Sequence, residues 1–519
     1  MRLLEAPENR RLLTGIRRGI EKESLRVSPR GKLAQTPHPR ALGSALTHPR
    51  ITTDYSEALL ELITPPLHDT RQALDTLRRI HAYVYRHLDD ELLWVHSMPC
   101  VLGDDASIPV ATYGSSNIGR MKTVYRLGLG HRYGRLMQTI AGIHYNWSVP
   151  DELWHLLQTA AGDSRSFQAY KTQRYFDLIR NFRRLTWLLL YLFGAAPAVC
   201  PSFVAGREHH LEPFEGNAHT LCAPLGTSLR MGDLGYQSDA QSSLVICYND
   251  LDSYIDTLRD GLSRPYPPYA RVGTRDEDGN YRQLSTHLLQ IENEFYSTIR
   301  PKRTTRTGET PLKALKERGV EYIEVRCIDL DPFIPEGIGE EQIHFLDIFL
   351  MHCLLADSPE TDADENDRIR GNQMATVYRG RDPALTLERN GESISAREWG
   401  REVMTDMAPI ANLLDRANDT GAYADALAAM QRRLQYPEET PSARILAAMR
   451  RDQVSYFQLA LDHARTHRDY FLAQSLTAEE EEGFRDMTER SWHDQEELEQ
   501  RDRQDFESFL RDYYSQHAL

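Results

Sequence analysis

Two periods of apolar residues alternate along the chain. GIEKESLRV, residues 19–27, ends in β-compatible residues and reads as a strand, with a turn signal in the SPRGKLA that follows. Successive strand side chains alternate between faces, so Glu21 and Glu23 point the same way. The period of two is cleaner in VEYIEVRCIDL, residues 320–330, where Ile323, Val325 and Cys327 form an apolar face and Tyr322, Glu324 and Arg326 the opposite one. HLLQIENEFYSTIR, residues 287–300, alternates for part of its length, and as a strand it sets Gln290, Glu292, Glu294 and Tyr296 on one side. GIHYNWSVP is a further short strand on which His144 and Asn146 share a face.

Helical periodicity takes over elsewhere. Residues 69–88 carry Leu74, Leu77, Val84 and Leu88 as a stripe. Residues 168–193 and 340–355 read as long buried helices. The apolar run LTWLLLYLFGAAPAVC, residues 185–200, contains Gly194 and Pro197 and falls short of the roughly 20 residues a bilayer requires, so it reads as a core helix. ADSPETDADENDRIRG, residues 356–371, reads as an acidic loop, and YPEETP, residues 436–441, as a break. Beyond about residue 395 the chain is helical and charge-rich, and from 475 it reads as a solvated helix or frayed tail. These features divide the chain into a core over residues 1–390 and a helical region over residues 391–519, expected to pack on that core.

Composition adds exclusions. The 519 residues are 40% apolar and 26% charged, with a formal net charge of −15, which argues against general nucleic-acid binding. The six cysteines form no CxxC pair, so a zinc site is not expected, and reduced thiols in a cytoplasmic enzyme are. MRLLEAPENRRLL has no apolar signal-peptide core.

No GxxxxGK[ST], GxSxG or HExxH motif is present. A nucleotide triphosphate would therefore have to be held by other means, the obvious one being divalent metal on carboxylates. Glu21, Glu23, Asp54, Glu61, His144 and Glu324 supply suitable side chains, and carboxylate oxygens with one imidazole suit Mg²⁺ or Mn²⁺. Arg326, on the face of Glu324, would then meet a transferring phosphoryl group. Each residue taken alone reads more readily as an ordinary surface or core side chain, and spacing does not show that they converge.

Long segments in order, among them GIEKESLRV, HPRALGSALTHPRITTDYSEALLELITP, YGSSNIGRMKTVYRLGL, RYGRLMQTIAGIHYNWSVP, TSLRMGDLGYQS, LQIENEFYSTIRPKRTTRTGETP and GVEYIEVRCIDLDPF, resemble the bacterial form of glutamate–cysteine ligase, or γ-glutamylcysteine synthetase. The resemblance runs from about residue 12 to about 355 and continues weakly into SARIL, residues 442–446; the charged tail departs from it. It implies an α+β fold similar to the glutamine synthetase catalytic domain, a curved and mainly antiparallel sheet forming a funnel backed by helices. It implies an ATP-dependent ligase that joins the L-glutamate γ-carboxylate to the L-cysteine amine through a γ-glutamyl phosphate, the first step of glutathione biosynthesis, with Mg²⁺ or Mn²⁺.

The resemblance assigns metal ligation to Glu21, Glu23, Asp54, Glu61, His144 and Glu324, and phosphoryl transfer to Arg326 beside Glu324. Asn146 falls beside the metals, and Tyr55, Tyr125, Arg230, Tyr236 and Tyr296 match the cysteine pocket. Tyr55 stands where the family often has phenylalanine. Arg126 joins the substrate-binding set, and Lys302, Arg303 and Arg306 are candidates for nucleotide contacts. Glu292 and Glu294 are expected behind the site rather than at the metals. No membrane or nucleic-acid partner is expected, and a monomer is. Two other readings remain: a related ligase with a different amine acceptor, and a non-catalytic binding protein on a ligase scaffold.

Overall fold

A computed structural model of the chain describes residues 1–99, 102–215, 217–235 and 239–518. Its strands are β1 (Arg17–Val27), β2 (Ile51–Thr53), β3 (Leu59–Ile63), β4 (Leu92–Leu93), β5 (Ile143–Ser148), β6 (Ala198–Val199), β7 (Glu212–Phe214), β8 (Asn217–Cys222), β9 (Ile299–Lys302), β10 (Tyr322–Ile328), β11 (Thr386–Arg389) and β12 (Glu392–Ser395). The main sheet runs β2-β3-β1-β5-β10-β9, with β4 paired to the end of β1, and every pairing is antiparallel. It does not close into a barrel. The strands β6, β8 and β7 form a small second sheet, and β11 with β12 a hairpin. The architecture is the expected α+β class with a helical C-terminal part.

Strand parity sorts β1 into two chemistries. Ile20 and Lys22 face the back, while Gly19, Glu21 and Glu23 face the front. Behind the sheet, Ile20, Tyr145, Trp147, Ile323 and Val325 are buried in one apolar core with the helices Phe167–Phe193 and Glu340–Leu355. The 185–200 run ends the first of these helices, and among the described residues no helix is long and apolar enough to cross a membrane. Asp347 enters this core fully bonded, accepting from Arg18 (2.6 Å), Tyr145 (3.1 Å) and the Trp147 indole (3.2 Å). Because Arg18 pairs with Trp147 across β1 and β5, this network reinforces their register; a one-residue slip would turn both glutamates of β1 to the back.

The helices of residues 70–85 and 340–355 lie where periodicity predicts them, the first capped by Asp69, whose carboxylate accepts from the Gln72 amide at 2.8 Å. Four expectations are corrected. Residues 287–300 are not one strand: Glu292–Glu294 is a 3₁₀ turn, and pairing begins at Ile299. The carboxylates bend the chain, since Glu294 accepts from the Gln290 amide at 2.6 Å and Glu292 from the Leu312 amide at 3.2 Å. Gln290, Glu292, Glu294 and Tyr296 therefore do not share a strand face. The acidic loop ends at Asp362, which caps a helix over Ala363–Arg379 by accepting from the Glu365 amide.

The tail is also ordered against the core. Thr477 and Glu480 form a capping box that starts Ala478–Arg501, and Trp492 of that helix donates to the Arg40 carbonyl. The helix Phe506–Ser515 then buries Phe506, Leu510 and Tyr513 against Met121, Val124 and Leu284. Finally, Cys200 is disulfide-bonded, against the expectation of reduced thiols; Cys222, Cys247, Cys327 and Cys353 are free.

Candidate active site

Antiparallel register brings the front-face acids together. Glu21 on β1 pairs with His144 on β5, Glu23 with Glu61 on β3, and Glu324 on β10 with Asn146 on β5. Five side chains from four neighbouring strands thus converge. His144 Nδ1 lies 3.2 Å from Glu21 and 3.9 Å from Glu324, and its Nε2 lies 3.5 Å from Glu23. Ligand atoms of Glu21, His144 and Glu324 lie within 4.8 Å of one another, and those of Glu23, Glu61 and His144 do likewise. Asn146 donates to Glu21 at 2.8 Å.

The charges are not balanced among themselves. Burial, followed by Glu21, Asp54 and Glu23, pushes the Glu61 carboxyl well above its usual range, and burial likewise raises Glu23. Burial acts against ionised Glu324 too, but Lys302, Arg326 and His144 outweigh it and hold this carboxylate well below the usual range. Lys302 lies 3.4 Å and Arg326 3.1 Å from it. Glu21 is also lowered: burial is outweighed by its bond to His144 and by nearby positive charge. The His144 Nε2 and Asn146 Oδ1 atoms are buried without a hydrogen-bond partner. Crowded carboxylates, one imidazole and orphaned acceptors form a donor set suited to a hard divalent cation.

These residues floor a cavity of about 290 Å³ that Asp54, Tyr55, Tyr125, Arg126, Tyr296, Lys302 and Arg326 also line. Its roof is the helix Asn117–Tyr133, capped by Ser116. Tyr55 is buried, and its hydroxyl has no partner. A second cavity of about 310 Å³ adjoins, sharing Asn293, Arg300 and Lys302 with the first and walled beyond them by Arg303 and Tyr322.

Two predicted residues lie elsewhere. Arg230 is fully buried beneath the site; it donates to the Arg326 carbonyl at 2.9 Å and lies 3.6 Å from Asp329, where β10 breaks register. Arg306 is on an exposed loop and lines neither cavity. Tyr236 falls outside the described residues.

The cavity also contains residues that sequence reasoning missed. Lys122 and Leu129 share the roof-helix face with Tyr125 and Arg126, a spacing of three to four that a helix over residues 117–133 makes legible. Arg300 pairs across from Glu324, two residues before Lys302 and so on the same face. Gln138 donates to the Tyr296 hydroxyl at 3.0 Å, and no spacing signals it.

Comparison with known proteins gives the family. The family model described as glutamate-cysteine ligase matches residues 1–376. The glutamate–cysteine ligase of Alcanivorax borkumensis is 54% identical over 507 residues, 97% of this chain and 96% of that protein, and that of Saccharophagus degradans is 52% identical over 99% of this chain and 97% of its own. The crystal structure of the Francisella tularensis glutamate–cysteine ligase in complex with AMP superposes with a TM-score of 0.91 at 35% identity, covering 96% of this chain and 98% of that one. A bifunctional glutathione synthetase from Pasteurella multocida shares the fold, with a TM-score of 0.72 at 23% identity over 91% of this chain and 55% of that one.

Proposed function

The chain belongs to the glutamate–cysteine ligase family and is a carboxylate–amine ligase of glutathione biosynthesis; on that premise we propose that the cavity before β1, β5 and β10 is where ATP activates the L-glutamate γ-carboxylate for attack by the L-cysteine amine. The observation that supports this most is the convergence of Glu21, Glu23, Glu61, His144 and Glu324 from four strands. With Asp54 beside them, these residues would hold Mg²⁺ or Mn²⁺, which when bound screens the triphosphate and stabilises charge in phosphoryl transfer.

The chain's own residues do the rest. A γ-carboxylate is a poor electrophile and repels the phosphates it must approach. Arg326 and Lys302 place positive charge where those anions meet, and their bonds to Glu324 keep them oriented when substrate is absent. The γ-phosphoryl passes to a γ-carboxylate oxygen and ADP leaves. The cysteine nitrogen then loses a proton and forms the amide bond as the bond from the acyl carbon to the phosphate oxygen breaks, and the proton and inorganic phosphate leave. Tyr55, Tyr125 and Tyr296 wall the space for a small thiol side chain, and the Gln138 bond fixes Tyr296. Arg230 acts through the Arg326 backbone. The adjoining cavity takes the nucleoside, with Arg303 in its wall and Lys302 between nucleoside and metals; that the Francisella relative was solved in complex with AMP supports nucleotide binding as such. In this reading the protein works as a cytoplasmic monomer.

Oxygen-18 transfer tests the reading. With L-glutamate labelled in its γ-carboxylate and cysteine as acceptor, one label per turnover should appear in the released phosphate. Unlabelled phosphate would exclude the acyl phosphate, and equal turnover with alanine or ammonia would reassign the amine acceptor.

A further inference from the structure

Lys122 and Arg126 lie one turn apart on the roof helix, and both line the metal-site cavity. They share a plate: Lys122 Nζ is 5.2 Å, and the Arg126 guanidinium 4.5 Å, from the centre of the Tyr113 ring. That ring is itself pinned, its hydroxyl lying 2.8 Å and 2.9 Å from the Thr53 and Asp54 carbonyls. Arg126 is bonded to protein, donating through Nε to the Asp54 carbonyl and through Nη1 to the Lys122 carbonyl at 3.0 Å. Lys122 differs. Among the described residues no carboxylate lies within ion-pair distance of its ammonium, whose ring contact with Tyr113 is its one direct interaction. Burial and then Arg126 draw its pKa down to about 8, against the pull of Glu61. A half-buried cation turned into a cavity, with a second cation beside it, is arranged to receive an anion from solution.

Position says which anion. Lys302, Arg300 and Arg326 belong to β9 and β10, the end of the sheet assigned above to phosphates. Lys122 stands at the other end, near Glu61 of β3 and the Asp54 loop that follows β2. Three strand steps, about 14 Å of backbone, separate β3 from β10. The γ-carboxylate of glutamate must reach the metals and the phosphoryl group between these ends, which leaves its second carboxylate for the far wall. We infer that Lys122, with Arg126 beside it, binds the α-carboxylate of L-glutamate and so holds the substrate at the distance from which its γ-carboxylate meets the phosphoryl group. This rests on the ligase reading above.

The experiment is steady-state kinetics of the full chain and its K122M, K122Q and K122R variants, with each substrate varied in turn. K122M and K122Q should raise the KM for L-glutamate about 10- to 100-fold, the size of one lost charge-assisted hydrogen bond. The KM values for ATP and L-cysteine should stay within about threefold, and K122R should recover most of the loss. As a second arm, 4-aminobutanoate, which keeps the amine and reacting carboxylate but lacks the α-carboxylate, should compete with glutamate equally well in wild type and K122M. An unchanged glutamate KM, an equal rise for ATP, or a loss confined to the basic limb of the kcat–pH profile would overturn the inference. If the wild-type chain does not couple glutamate to cysteine at all, the ligase reading fails instead.

Discussion

At the scale of single residues, the front face of the sheet carries more negative charge than it can neutralise. Glu324 is the most strongly paired of the acids, and E324Q should lower kcat at least about 100-fold while shifting the melting temperature by only a few degrees. Coupled ADP release and a thermal melt on the same preparation check this; a collapsed melt with intact activity per folded molecule would give Glu324 a structural role. Tyr55 makes the opposite case. Its buried hydroxyl has no partner, and an unsatisfied buried polar group costs about 1–3 kcal/mol, so Y55F should leave the cysteine KM unchanged and raise the melting temperature.

Titration of the acids has a sign that can be worked out. Glu61 and Glu23 are raised on folding above the ordinary value of 4.5, so the native chain binds more protons than the unfolded one above that pH. They therefore destabilise the metal-free protein as pH rises from there. Glu21 and Glu324, held below 4.5, are ionised in the native chain throughout this window, and their slope vanishes once the unfolded carboxylates are ionised too. A divalent cation takes the place of the protons. The melting-temperature gain from added Mg²⁺ should accordingly grow as pH rises above 4.5. A gain independent of pH would mean that the raised carboxyls do not meet the metal.

At the scale of elements, parity was legible and partnership was not. Glu21 and Glu23, and the two faces of residues 322–328, follow from a period of two alone. That β5 lies between β1 and β10, and so presents His144 to Glu21 and Glu324 at once, depends on contacts over a hundred or more residues, which no local pattern encodes. Local alternation also misled at residues 287–300, because Glu292 and Glu294 bind nearby backbone amides, an interaction that period says nothing about. The helix after Asp362 was hidden by its acidity, although Asp362 itself was a readable cap.

The tail carries the element-scale prediction. Phe506, Leu510 and Tyr513 hold Met121 and Val124 of the roof helix from outside, and the Tyr514 hydroxyl donates to the Gln290 carbonyl. L510A should destabilise the protein by about 2–3 kcal/mol and, by loosening the roof, raise the glutamate KM. Chemical denaturation and kinetics read both, and an unchanged midpoint would show that this helix is not bound to the core.

At the scale of the whole molecule, the chain lacks a phosphate-binding glycine loop, and an open antiparallel sheet gathers the acids instead. Helices cover the back, where Arg18 and Asp347 are fully bonded, and the front is left to charge. The fold class and the identity of the acids were accessible because strand period and the resemblance agree. The adjoining cavity, the roof-helix lysine and the braced tail were not, since each is defined by surfaces meeting rather than by a motif.

The central claim is that the converged carboxylates are a divalent-metal site. Electron paramagnetic resonance titration with Mn²⁺, in the presence of a non-hydrolysable ATP analogue, measures this directly on wild type, E23Q and E324Q. The account predicts more than one tightly bound Mn²⁺ per wild-type chain, and for each variant the loss of a site or at least about a tenfold weaker one. Equal stoichiometry and affinity in all three proteins would contradict it.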